Sequence, residues 1–296
     1  MTAYQMNASR GEGKIRKSSE FLRILKQLSY NKLAMFGLIL FVLELTLCLL
    51  APVIAPYDDS KMDILNMNQG PSAAHWFGTD DLGRDILTRV LYGGRYSMTV
   101  SLLSVVVSLI FGVVIGSIAG YFGGWLDNVI MRILDIIQSL PGMLLTIVVA
   151  ASLGAGFFNT VLALSVNGIP AQARMLRAQM MRVRGSEYVE AATSINCSKV
   201  RIIAKHLFPN SFSPLIVQAS MAIANRITMC SSLSFIGLGV QPPAPEWGAM
   251  LAGSRQYIRD YPYMVIFPGL AIAVTVLALN LLGDGLRDAL DPRLKR

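Results

Sequence analysis

MTVSLLSVVVSLIFGVVIGSIAGY, residues 98–121, runs for 24 positions without one charged side chain. A helix needs about 20 mostly apolar residues to cross the hydrocarbon core of a bilayer, so this stretch reads as a transmembrane span. Gly112, Gly116 and Gly120 recur every fourth residue within it. In lipid, small residues at that spacing let a second backbone approach closely, within this chain or in a partner. Glycine is also simply common in membrane helices, but three in register favour a packing face.

The composition around this stretch agrees with it. The chain has 296 residues, 53% hydrophobic and 15% charged, where soluble domains carry about 25% charge. Mean hydropathy is +0.52. Disorder, a coiled coil and a disulfide-stapled secreted scaffold are all excluded. Cys48, Cys197 and Cys230 are too far apart for a metal or redox pair and read as free reduced thiols. The expected fold is an all-α polytopic membrane protein.

Working outward, six apolar segments emerge at about 33–55, 98–121, 128–151, 157–171, 211–238 and 263–282. The net charge of +8 could signal nucleic acid, but its distribution argues otherwise. With the N-terminus inside, 19 of the 26 Lys and Arg fall on the cytoplasmic side and 6 outside, Arg226 lying within a span. That asymmetry obeys the positive-inside rule and puts both termini in the cytoplasm. The first span is too long for a signal-peptide core, and Ala51-Pro52-Val53 makes a poor cleavage site, so it is read as uncleaved. Residues 1–32 form a cytoplasmic tail. In it Phe21, Ile24, Leu25 and Leu28 are spaced either for an amphipathic helix on the inner membrane surface or as a tail merging into span one.

Polar and helix-breaking residues within the spans mark candidate sites. Arg226 would cost about 2.5–3.5 kcal/mol facing lipid at mid-bilayer, so it faces other helices, a wet cavity or an interface. Asn225 is its neighbour, and the two could share one polar interior. The reading stays open between a translocation-pathway pair and an ion pair of Arg226 with Glu44, the acidic residue within a span. Pro141 and Pro170, the latter closing span four, imply kinked or broken helices, which commonly line cavities.

The 172–210 connection is long and patterned. Met175, Leu176, Met180 and Val183, then Val189, Ala192 and Ile195, then Val200, Ile203 and Leu207 recur at helical spacing. Two or three short helices under the membrane are expected. Within them stand Glu190-Ala191-Ala192, three residues, Asn196, nine residues, and His206-Leu207-Phe208-Pro209. This resembles the EAA loop of permease subunits in bacterial ABC importers, E-A-A-x3-G-x9-I-x-L-P. Asn196 stands at the glycine place, His206 at the isoleucine place and Phe208 at the leucine place. Asn is the residue next most tolerant of the positive φ that such a turn requires. Small alanines permit close approach, Glu190 can pair with a basic group, and Pro209 ends the second segment.

Two outer segments, 75–85 (HWFGTDDLGRD) and 233–248 (LSFIGLGVQPPAPEWG), with the ending GDGLRDALDP at 283–292, narrow the resemblance. They are similar to the second permease of the dipeptide, oligopeptide and nickel importer family, from about Lys32 to the end of the chain. The resemblance implies a pore-forming subunit with a second homologous permease beside it and two ABC ATPases beneath. It also implies an extracytoplasmic binding protein that delivers peptide. Coupling would run through Glu190, Ala191, Ala192, Asn196, His206 and Pro209. No G-x-x-x-x-G-K-[ST] occurs, so ATP and Mg²⁺ would be bound by the partners and no cofactor by this chain. A calcium loop at 78–85 is disfavoured, because Gly83 and Arg84 interrupt it without EF-hand spacing. His75 and His206 fall on opposite sides of the membrane, and neither HExxH nor GxSxG occurs, which argues against a catalytic or metal site. A stand-alone carrier lacks a visible repeat or relay. Nickel, metal chelates, glutathione and antimicrobial peptides stay open beside peptide as cargo.

Overall fold

A computed structural model describes residues 27–198, 201–203 and 213–290. The described residues are almost wholly helical, with one isolated bridge between Thr79 and Asp85 and no strand. Phe21, Ile24, Leu25, His206, Phe208 and Pro209 lie outside them, whereas Leu28 is buried.

The first helix, α1 (Lys32–Leu49), starts where the Asn31 side chain accepts the Ala34 N–H. Helix α2 (Ile86–Phe122) starts the same way: the Asp85 carboxylate accepts the Thr88 N–H and satisfies a donor the helix leaves open. At about 1.5 Å per residue its 37 residues span about 55 Å, well beyond a bilayer core of about 30 Å. Span two is therefore the later portion of a helix that begins 12 residues earlier, at Ile86. Helix α3 (Gly124–Ser139) follows a turn at Gly123, which adopts φ +64. Pro141 supplies no N–H, and α3 meets α4 (Gly142–Leu153) at a bend of 89°. The third expected span is thus a broken pair.

Helix α5 (Phe157–Arg184) runs on past Pro170, where the sequence implied a kinked or broken helix. Pro170 sits buried inside a continuous 28-residue helix, so residues 172–184 extend that helix and are not separate short ones. The single hydrogen bond that proline removes is offset by packing on all sides: Gly168, Pro170, Gln172 and Ala173 are all buried. Helices α6 (Glu187–Ser194), α7 (Ser213–Phe235), α8 (Trp247–Ser254) and α9 (Tyr263–Leu290) follow, with a short helical turn at Ala51–Ile54 and 3-10 turns at Ile64–Asn66 and Arg255–Tyr257. Among the described residues three helices, α1, α2 and α9, are long and apolar enough to cross a membrane, giving up to four spans if the bent α3–α4 pair is one.

The most extensive contact joins α2 to α5; α9 packs against α1 and α7. At the first seam the three in-register glycines face α5. An added Cβ at Gly112 would lie 2.5 Å from Gln172 Cβ, at Gly116 2.5 Å from the Ala173 carbonyl oxygen, and at Gly120 2.9 Å from Met180 Cβ. The backbones approach too closely for any larger residue.

The end of the bundle where α2 begins is a knit cap. The Asp80 carboxylate accepts from the backbone N–H of Leu82 and Arg84 and from Arg84 Nε at 2.7 Å. Arg89 lies 3.6 Å from the same carboxylate and donates to the Asp59 carbonyl; burial draws its guanidinium down to about 10. His75 Nδ1 lies 2.9 Å from Asp85, and Tyr57 stacks on its ring. From the far end of the chain, fully buried Glu246 caps α8 through the Ala249 N–H and accepts the Ser97 hydroxyl of α2. The Trp247 indole donates to the Val90 carbonyl. Removing Glu246 would orphan buried donors at about 1–3 kcal/mol each.

Candidate functional site

The candidate coupling site is built on α5, α6 and α7. Gly185 and Ser186 separate α5 from α6, and the Ser186 carbonyl accepts the Glu190 N–H. The apolar spacing of Val189 and Ala192 puts both on one face, where they are buried against Leu176 and Met180 of α5, Ile202, and Leu215 of α7. Glu190 and Ala191 are exposed on the other side. The two alanines therefore have different surroundings: Ala192 belongs to the chain's own core, and Ala191 is open to a partner. Asn196 ends this unit at φ +58, the left-handed conformation that disfavours residues other than Gly, Asn and Asp. Val189 and Ala192 thus join α6 to α5 and α7 through one apolar cluster.

Two ion pairs invisible to the motif search tie α3 to the same unit. Asp127 takes a bidentate pair from Arg177, and Asp135 accepts from Arg174 at 2.9 Å. Their signal was present: Asp127 and Asp135 stand eight residues apart on one face of α3, and Arg174 and Arg177 stand three apart on α5. Arg184, at the end of α5, lies over the Tyr121 ring of α2. Helix α3 is thus fastened to α5, and α5 to α2, at the end where α2 and α5 terminate.

At mid-helix the ion pair left open between Arg226 and Glu44 does not form. Glu44 accepts the Thr275 hydroxyl of α9 at 2.7 Å, and no described acidic residue pairs with Arg226. Asn225 and Arg226 do not share one interior: Arg226 is 7% exposed, while Asn225 is exposed, because 100° of helix rotation carries it past the seam. Arg226 sits instead where α2, α5 and α7 meet. Its Nη1 lies 3.6 Å from the Met229 sulfur, its Nε has no partner, and Nη2 fills the space left by Gly168 beside Ser108. Among the described residues no group of three His, Cys, Asp or Glu is placed to hold a metal.

Comparison with known proteins follows this geometry. Residues 112–296 match the family described as binding-protein-dependent transport system inner membrane component. Residues 19–71 match the N-terminal TM domain of oligopeptide transport permease C. The chain is 43% identical over 270 residues to the dipeptide transport system permease protein DppC of Alkalihalophilus pseudofirmus, covering 91% of this chain and 89% of the relative. It is 45% identical over 264 residues to the glutathione transport system permease protein GsiD of Escherichia coli, covering 89% and 87%. Its fold is similar to a chain of the MetNI methionine ABC transporter in an inward-facing conformation, with a TM-score of 0.56 at 16% identity over 69% of this chain and 97% of that one. A similar likeness, TM-score 0.52 at 14% identity, extends to an amino acid ABC transporter over 67% and 92%. Long apolar helices, a family match covering more than half of its length and the two close relatives converge: the chain belongs to the family of binding-protein-dependent transport system inner membrane components, as the membrane-embedded permease of an ABC importer.

Proposed function

We propose that this chain is one of two transmembrane subunits of an ATP-driven importer of di- and oligopeptides. It crosses the membrane six times with both termini inside, α5 and α7 supplying the two more polar spans. It pairs with a second, homologous permease, surrounded by lipid. An extracytoplasmic binding protein delivers peptide to the outer cap, and two ABC ATPases grip α6 from below. ATP and Mg²⁺ are bound and used in those ATPases; this chain hydrolyses nothing and contacts no nucleic acid. The relatives named for dipeptide and for glutathione transport support peptide as cargo.

The two-sidedness of α6 carries the coupling reading. Glu190 and Ala191 face outward for a partner, while Val189 and Ala192 anchor the helix to α5 and α7. When the ATPases close on nucleotide, α6 moves with them, and α5, continuous from Phe157 to Arg184, carries the displacement to mid-membrane as one rigid rod. Replacing Glu190 by Lys or Ala191 by Trp should leave the complex assembled and its ATPases active, but reduce peptide uptake per ATP hydrolysed at least tenfold. Coupled uptake at the wild-type ratio in both variants would refute the proposal.

A further inference from the structure

We infer that the junction of α2, α5 and α7 holds a recognition site for a carboxylate of the transported molecule, with Arg226 as its cationic anchor; this rests on the import reading above.

The site is rich in donors and poor in acceptors. Arg226 is more than nine-tenths buried near the middle of α7, yet its Nε has no partner and Nη1 reaches only the thioether of Met229 at 3.6 Å. Asn167 Nδ2 points at the same sulfur, 3.7 Å away. A thioether is a weak acceptor, so two of the stronger donors in the chain converge on an atom that satisfies neither. Asn167 also lies against Gly142, where a Cβ would come within 2.8 Å of its Oδ1. Gly142 opens α4, whose first turn has no side-chain cap. A helix start of this kind presents free N–H groups and the positive end of its dipole. Guanidinium, amide and helix N-terminus therefore occur together, and no described acidic side chain pairs with Arg226.

The way in is the break itself. Leu140 and Pro141 are exposed between α3 and α4, and irregular backbone at membrane depth persists where it lines a wet cavity or is covered by protein. Gly168 is what admits the guanidinium to the seam: an added Cβ would lie 2.4 Å from Arg226 Nη2. The ligand that complements these groups is a carboxylate, which accepts two parallel hydrogen bonds from a guanidinium and brings the missing charge. A peptide carries one at its C-terminus.

The test uses the assembled complex of permeases and ATPases in nanodiscs, without binding protein. Equilibrium binding of radiolabelled Ala-Ala is compared with that of its C-terminal amide. The wild type should prefer the acid at least tenfold, and Arg226→Gln should bring the preference below threefold. No binding of the acid, or equal binding of acid and amide by the wild type, overturns the inference. If Arg226→Gln does not assemble, Arg226→Lys and Asn167→Ala carry the reading. A loss of acid preference of threefold or more in either supports the site, and an unchanged preference in both overturns it, leaving Arg226 as an ion-pair partner for the second permease. Uptake of Ala-Ala by the wild-type complex with its binding protein separates the two claims. Uptake with no preference at the permease defeats this site alone; no uptake of any peptide defeats the import reading.

Discussion

Gly116 is where the α2–α5 seam is tightest against backbone. A Cβ there would lie 2.5 Å from the Ala173 carbonyl oxygen and 3.1 Å from Ala173 Cα. Ordinary van der Waals contact begins near 3.4 Å, so alanine would force the two helices apart by about 0.9 Å. The offset comes from helix propensity: Gly→Ala gains about 1 kcal/mol in a helix interior. Overpacking costs about 1–3 kcal/mol, so Gly116→Ala should fall between neutral and about 2 kcal/mol destabilising. Gly116→Leu adds three more carbon atoms with a similar propensity gain, and should lose about 2 kcal/mol or more. For a chain of this size that corresponds to a fall in thermal midpoint of roughly 4–8 °C. The assay is thermal unfolding of the complex in nanodiscs, with Gly253→Ala as the control. Gly253 lies in α8 with nothing within 4 Å of an added Cβ, so the control should hold or raise the midpoint. A Gly116→Leu complex as stable as the control would refute the close-approach argument.

Asn196→Gly should keep ATP hydrolysis coupled to uptake, because glycine accepts the left-handed turn, whereas Asn196→Val should strain it by about 1–2 kcal/mol and lower uptake per ATP; equal coupling in both variants would count against the turn. The Asp127 side chain is 8% exposed and that of Arg177 28%, so Asp127→Ala should destabilise the complex by about 1–3 kcal/mol, with the reversed pair Asp127→Arg/Arg177→Asp recovering part of it in a double-mutant cycle. Burial first, then repulsion from Asp80, raises the Asp81 carboxyl above its usual range, against the opposing pull of Arg84. A raised carboxyl contributes stability that is full below its unfolded value and lost as pH rises through the folded one. Amide protection factors in residues 57–85, with the intrinsic exchange rate divided out at each pH, should therefore rise as pH is lowered from neutral through that window, and Asp81→Asn should flatten the response. A steeper response in the variant would reverse the assignment.

What could be read from the residues alone followed the strength of each local signal. Charge-free runs such as 98–121 announce themselves, because lipid tolerates little else. Asn196 was legible as a turn because few side chains accept positive φ. The continuity of α5 was not, since Pro170 carries a breaker's signal and its compensation lies in buried neighbours far along the chain. The same holds for the start of α2 at Ile86: Arg89 and Arg95 look like loop charges until Asp80 and the Tyr92 ring are seen beside them. Pairing Arg226 with Glu44 failed for a geometric reason: Glu44 sits on α1 facing Thr275, while Arg226 faces the α2–α5 seam. The links from α3 to α5 needed only the helical spacing of two acids and two arginines, but choosing that partner face required the bend at Pro141.

The central claim is that motors beneath the membrane drive this permease through α6. It is tested most directly by replacing Cys48, Cys197 and Cys230, placing a single cysteine at position 190 or 191, and crosslinking it in intact membranes. The account predicts a crosslink to an ATPase subunit that strengthens or weakens with bound nucleotide, and no labelling by an impermeant thiol reagent from outside. Labelling of either position from the outer face, or the lack of an ATPase crosslink at both, would contradict it.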